Sequence, residues 1–164
     1  MDESGIQLNL TRLYGRARGG SRAVGSAPKN YGRQLNVLGV MSRRGVQASM
    51  TVVGSVDSVV MTVFVRQVLS AVVQTGDIVV LDNLSVHKTS SVQREFARLG
   101  IELWYLPPYS PDLNPIEKCW SKVKTRLRRA KARDYETLNQ ELGIALSQVT
   151  ESDARNWIRG CGYV

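Results

Sequence analysis

Apolar residues recur along the chain with two periods, and these divide it into strands and helices. Residues 2–10 (DESGIQLNL) alternate at Ile6, Leu8 and Leu10, which predicts a strand with Asp2 near its start. Residues 34–41 (QLNVLGVM) and 46–53 (VQASMTVV) predict two more, joined by the hairpin connection Ser42-Arg43-Arg44-Gly45. Asp57 or Ser58 stands where a helix cap belongs. The helix that follows carries Val59, Thr62, Val63 and Arg66 early and continues inward at Val68, Leu69 and Val72. Gly76-Asp77 ends it. Four apolar residues, Ile78 to Leu81, then predict a strand that delivers Asp82. Thr89-Ser90-Ser91 opens a helix through Leu99, with Val92, Phe96 and Leu99 on one face and Gly100 as its stop.

The run Ile101 to Leu106 predicts the next strand, closed by Pro107-Pro108. Asn114 as N-cap, Pro115 at the first helical position and Glu117 at the third open a helix with Ile116, Trp120, Val123 and Leu127 as its core stripe. A last helical region, Tyr135 to Val149, packs Leu138, Leu142, Ala145, Leu146 and Val149, and Ser152 to Trp157 adds a final turn. The order of strands and helices predicts a mixed sheet flanked by helices. Between the first two strands lies a Gly- and Arg-rich stretch without periodicity, read as a long basic loop.

Composition narrows the partners. A length of 164 residues fits one domain with a real core. The 22 Lys and Arg against 14 Asp and Glu leave a net charge of +8, which suits a polyanion such as nucleic acid. Cys119 and Cys161 are too few and too far apart for a zinc ribbon or a disulfide framework. No apolar run reaches the length of a membrane span and no secretory signal is visible, so the expectation is a soluble cytoplasmic protein without a membrane partner, nucleoid-associated if its polyanion is DNA.

The acids, taken singly, are ambiguous. Glu117 stands where a capping box places a glutamate, and acids favour helix N-termini generally. Asp82 ends an apolar strand, where a charge is costly and where α/β folds place their sites, but a turn role shared with Asn83 competes. Asp2 read alone is a chain terminus. Asp57, Asp77 and Asp112 read as helix-boundary or turn residues. One histidine, His87, cannot build a zinc site without other soft ligands. It is placed to orient a carboxylate or contact a phosphate, with a loop hydrogen bond as the plainer role.

The wording of the chain adds what spacing leaves open. Residues 105–117 (YLPPYSPDLNPIE), followed by Trp120 and Lys124, closely resemble a hallmark of the mariner-type DNA transposases and their bacterial insertion-sequence relatives. Leu81-Asp82-Asn83 with His87 is similar to the second acidic motif of that family, and Asp2-Glu3-Ser4-Gly5 to the first. The resemblance covers nearly the whole chain. It implies a ribonuclease-H-like α/β fold in which Asp2, Asp82 and Glu117 are the catalytic and metal-binding triad for two Mg²⁺ or Mn²⁺ ions. It also implies hydrolysis at transposon ends followed by strand transfer into target DNA, with dimerisation holding two ends together.

Helical spacing from Glu117 reaches Ser121, Lys124 and Arg128, so the candidate ligand begins a stripe that turns cationic. Residues 118–133 hold eight Lys or Arg. Lys118, Ser121, Lys122, Lys124, Arg128 and Arg129, with His87 and with Arg16 and Arg18 of the early loop, are the candidate DNA contacts. The family's N-terminal helix-turn-helix region and the start of its first strand have no counterpart here. The expectation is therefore a single catalytic domain spanning 1–164, N-terminally truncated, with Asp2 weakly fixed. Two other readings stay open: another ribonuclease-H-like nuclease acting on junctions or RNA–DNA hybrids, and a transposase-derived DNA-binding protein without catalysis.

Overall fold

The computed structural model describes residues 1–29 and 32–163; Asn30 and Tyr31 of the basic loop, and Val164, lie outside the described residues. Strand β1 (Asp2–Ile6) pairs antiparallel with β2 (Leu35–Ser42), which pairs antiparallel with β3 (Gly45–Val53). Strands β4 (Ile78–Leu81) and β5 (Glu102–Tyr105) pair in parallel. The two groups meet where the Met1 ammonium donates to the Val80 carbonyl at 3.0 Å, bridging β1 and β4.

Helices cover both faces. Helix α1 (Ser58–Gln67) and α2 (Ser90–Arg98) share a core with Leu38, Val40, Val79 and Leu81, built around Met61, Phe64, Val92 and Phe96. Helix α3 (Pro115–Ala130) and α4 (Tyr135–Ser147) pack on the opposite face against Ile6, Leu35 and Val37. Successive residues of β2 thus feed opposite cores, as a strand buried on both faces requires. The result is a mixed α/β architecture of the predicted kind.

Several boundaries differ from the periodic reading, each for a local reason. Strand β1 ends earlier: Asp2, Ser4 and Ile6 are its buried positions, while Leu8 and Leu10 reach the core from irregular chain after it. Asp57, not Ser58, caps α1, accepting from the Val59 and Val60 amides at 2.9 Å each. That helix stops at Gln67 and tightens into a 3-10 turn at Leu69–Ala71, consistent with its load of β-branched residues. The expected final turn is a full helix, α5 (Glu151–Gly160), because Thr150 and Asp153 form a reciprocal capping box.

Glu95 of α2 ties the first helical layer together, accepting from Arg66 of α1 and from Arg98 Nε at 3.0 Å. These hydrogen bonds, Arg66 first, hold its carboxyl at about 2 instead of the ordinary 4.5. A depressed carboxylate pKa gives stability that is complete above the unfolded value and is lost as pH falls through the folded one. Calorimetry between pH 4.5 and 2 is therefore expected to show a steeper loss of melting temperature for the wild type than for Glu95→Gln.

Candidate metal centre

Asp82 is the first residue beyond β4, and Glu117 lies in the first turn of α3. Both line one cleft of ≈ 480 Å³, walled by the segment Leu106 to Pro111 and by Asn83, Leu84, Lys88 and Asn114. The cleft rim carries Tyr109, fully exposed and held at φ 56°, a left-handed conformation unusual for a side chain of that size.

Glu117 is exposed, and among the described residues no group donates a hydrogen bond to its carboxylate. A capping box does not account for it. Asn114 is buried and its side chain makes no cap hydrogen bond, so α3 starts on the Pro115 geometry and on the Asn114 carbonyl, which accepts from the Glu117 amide at 3.1 Å.

Asp82 is held on one side only. Its Oδ1 forms an ion pair with His87 Nδ1 at 2.8 Å and accepts from the Leu84 amide at 3.2 Å. The Asp82 carbonyl also lies 3.5 Å from His87 Nδ1, and no described group donates to Oδ2. Burial raises the Asp82 pKa, but the bonds from His87 and Leu84 outweigh it and bring the carboxyl below its ordinary value. His87 itself is completely buried. Its Nε2 meets Glu3 Oε2 at 3.2 Å, so the ring bridges two carboxylates. Burial pulls the imidazole down, yet the bonds to Asp82 and Glu3 prevail and raise it to about 9. At neutral pH it is a cation donating from both nitrogens.

Asp2 sits apart from that pair, on the opposite face of β1 from Glu3. It is 5% exposed, and Trp120 Nε1 of α3 donates to its Oδ2 at 2.9 Å. In the sheet Asp2 lies opposite Gly39, and the Trp120 ring lies directly over that glycine: a Cβ there would stand 2.6 Å from the indole. A side chain at position 39 would push the indole off the strand and away from Asp2. Burial drives the Asp2 carboxyl up to about 7, opposed by the Trp120 bond and assisted by the charge of Glu117.

The structure therefore brings Asp82 and Glu117 to one cleft and leaves Asp2 turned into the core, within electrostatic reach of Glu117. Among the described residues no three His, Cys, Asp or Glu side chains are gathered tightly enough to hold a metal ion. In donor chemistry the site still fits a hard divalent cation. It offers carboxylate oxygens only, and Asp82 Oδ2 and the Glu117 carboxylate carry no competing donor.

The expected DNA contacts divide. Lys118, Ser121, Lys122 and Arg129 line an open groove of ≈ 760 Å³ between α3, α4 and α5. Lys122 is committed there to Asp153 and to the Gln148 carbonyl, which withdraws much of its charge from a ligand. Lys124 and Arg128 are half-buried along α3, and Arg128 and Arg129 share a second groove with Arg12, Leu13 and Tyr14 of the basic loop. Arg16 and Arg18 are exposed in that loop. His87 is the correction: with no accessible surface it cannot touch DNA in this conformation.

Three site features escaped the sequence reading. Lys88 enters the cleft over the Tyr105 ring, with its Nζ 5.4 Å from the ring centroid. Trp120 reads as core and as part of the family hallmark, but nothing in the sequence shows that its N–H serves Asp2. Glu3 was legible in principle, since a period of two puts it on the face opposite Asp2.

Residues 1–139 match the family described as DDE superfamily endonuclease. No curated protein matches the sequence significantly. Among solved structures, the Mos1 strand transfer complex superposes with a TM-score of 0.74 at 20% identity, covering 96% of this chain and 49% of that one. The mariner Mos1 paired end complex with Mg gives 0.64 at 19% identity, covering 98% and 50%. The catalytic domain of Mos1 mariner transposase gives 0.63 at 13% identity, covering 96% and 75%. This chain thus spans about half the length of the chains in the two complexes. The shared fold is ribonuclease-H-like.

Two outcomes are expected around Asp2. A carboxyl whose folded pKa rises from 3.8 to about 7 favours folding below 3.8, and that contribution is lost as pH climbs through 7. The melting temperature of Asp2→Asn relative to wild type should therefore increase between about pH 4 and about pH 8, read by thermal denaturation. Trp120→Phe keeps the ring but removes the donor, and urea denaturation is expected to show a loss of about 1–3 kcal/mol.

Proposed function

The chain belongs to the DDE superfamily endonucleases, and from that premise we propose that residues 1–164 are a single catalytic domain of a metal-dependent DNA transposase. Its substrate is the phosphodiester backbone at the ends of a mobile element, hydrolysed first and then joined to target DNA. The observation that carries this reading is the cleft shared by Asp82 and Glu117, two carboxylates with free oxygens at the ends of a strand and a helix.

Asp82 and Glu117, with Asp2 as the third donor, would hold two Mg²⁺ or Mn²⁺ ions; the structure named for a paired end complex with Mg supports that choice of metal. When bound, such ions supply Lewis acidity at the phosphate and ease deprotonation of an attacking water or 3′-hydroxyl. The remaining work falls to the chain itself. His87 and the Leu84 amide hold Asp82 Oδ1 so that Oδ2 faces outward. Lys88 brings a cation to the cleft, and Lys124, Arg128 and Arg129 of α3, with the arginines of the basic loop, track phosphates away from it. The partner is DNA, and two copies of the chain act together on paired ends. Such work on chromosomal DNA places the protein at the nucleoid; among the described residues no helix is long and apolar enough to cross a membrane.

One observation favours a second reading. Asp2 is turned against Trp120, and without it the fold and its basic face would bind DNA without cutting. Nicking of supercoiled DNA with Mg²⁺ separates the two. The wild type is expected to nick, and Asp82→Asn and Glu117→Gln are each expected to lose at least about 10²-fold in rate, the scale of losing a group that stabilises transition-state charge. Nicking that survives both substitutions contradicts the proposal. Salt-sensitive DNA binding with no nicking by the wild type establishes the non-catalytic reading instead.

A further inference from the structure

We propose that Glu3 is a positioning residue of the metal centre: through the buried ring of His87 it fixes the orientation of Asp82 and couples strand β1 to the loop after β4. The inference deepens the proposed function, since it rests on Asp82 being a metal ligand.

Strand β1 lies beside β4, yet the two belong to separately paired sheets. The Met1 bond to Val80 joins them at one end. Beyond that bond, the spacing between a ligand on β1 and a ligand after β4 has to be set by side chains. The chain Glu3 Oε2 to His87 Nε2 (3.2 Å), then His87 Nδ1 to Asp82 Oδ1 (2.8 Å), crosses this gap. His87 is itself fixed: it lies in the 3-10 turn Ser85–Lys88, and Tyr105 of β5 donates its hydroxyl to the His87 carbonyl at 3.2 Å.

The ring has no accessible surface while Glu3 covers it, and Glu3 is the acceptor that Nε2 meets. Removing Glu3 would take that acceptor away and open the ring to water, leaving the imidazole free to turn. Its hold on Asp82 Oδ1 would go with it. An imidazole whose far nitrogen is engaged by a carboxylate commonly orients a metal site from behind the ligands. Here the imidazole supports a carboxylate ligand instead of being one.

The chain contains one histidine, so its ring resonances are unambiguous. In the full chain without metal, ¹⁵N–¹H spectra should show two slowly exchanging ring N–H protons and a protected Leu84 amide. In Glu3→Ala the Nε2 proton should exchange fast and the Leu84 amide should shift and lose protection. Mn²⁺ binding, followed by the paramagnetic resonance of the free ion, should weaken by about 10- to 100-fold in Glu3→Ala. Glu3→Gln keeps an acceptor at the same reach and should recover most of that loss; Glu3→Asp is too short and should not. An unmoved Leu84 amide in a folded Glu3→Ala or Glu3→Asp, or Mn²⁺ affinity within about twofold of wild type, overturns the proposal. If the ring and amide respond as expected while the wild type binds no Mn²⁺, the clamp stands and the reading of Asp82 as a ligand falls.

Discussion

A carboxylate buried in a protein core must be given a donor or forced to keep its proton. In this chain the Trp120 indole gives one to Asp2, and much else follows from that hydrogen bond. It anchors α3 to β1, and α3 also carries Glu117. It needs Gly39 opposite Asp2, because any side chain there would occupy the space of the indole. It also turns Asp2 inward, so the first of the three acids is satisfied by the core while Asp82 and Glu117 face the cleft.

Strand β1 therefore serves both faces of the sheet through consecutive residues. Asp2 belongs to the face of α3, and Glu3 belongs to the side of His87. The two ligand candidates differ in chemistry: burial leaves Asp2 with a raised affinity for protons that the bond from the neutral indole only partly offsets, whereas a cationic imidazole shared with Glu3 keeps Asp82 ionised. Carboxylates with opposed protonation tendencies, one opening β1 and one following β4, are the kind of perturbed pair that clusters at functional sites. The cationic stripe of α3 and the basic loop then set the acids within a surface that attracts polyanions.

Much of this was legible in the residue pattern. The hairpin of β2 and β3, the strand Ile78 to Leu81 and the core stripe of α3 follow from period, caps and turn residues, whereas Asp82 and Glu117 stay ambiguous by spacing and stand out only through the motif wording around them. What escaped depends on tertiary contact. Leu8 and Leu10 continue the alternation of β1 but pack from irregular chain, so the pattern runs past the end of the strand. Asn114 has a capping residue's identity and place, yet its side chain is buried without capping. His87 could by sequence orient a carboxylate, contact a phosphate or make a loop hydrogen bond, and only its burial against Asp82 and Glu3 separates the first role from the second. Lys122 counts as a DNA contact until Asp153, from a helix read as a single turn, takes its charge.

The central claim is that Asp82 and Glu117 form a divalent-metal site in the cleft they share. The most direct test is an anomalous difference map from crystals of this chain grown with Mn²⁺. The account predicts a peak in the cleft bonded to Asp82 Oδ2 and to the Glu117 carboxylate, with Asp82 Oδ1 still held by His87. A cleft without a peak at saturating Mn²⁺, or Mn²⁺ bound elsewhere, would contradict it.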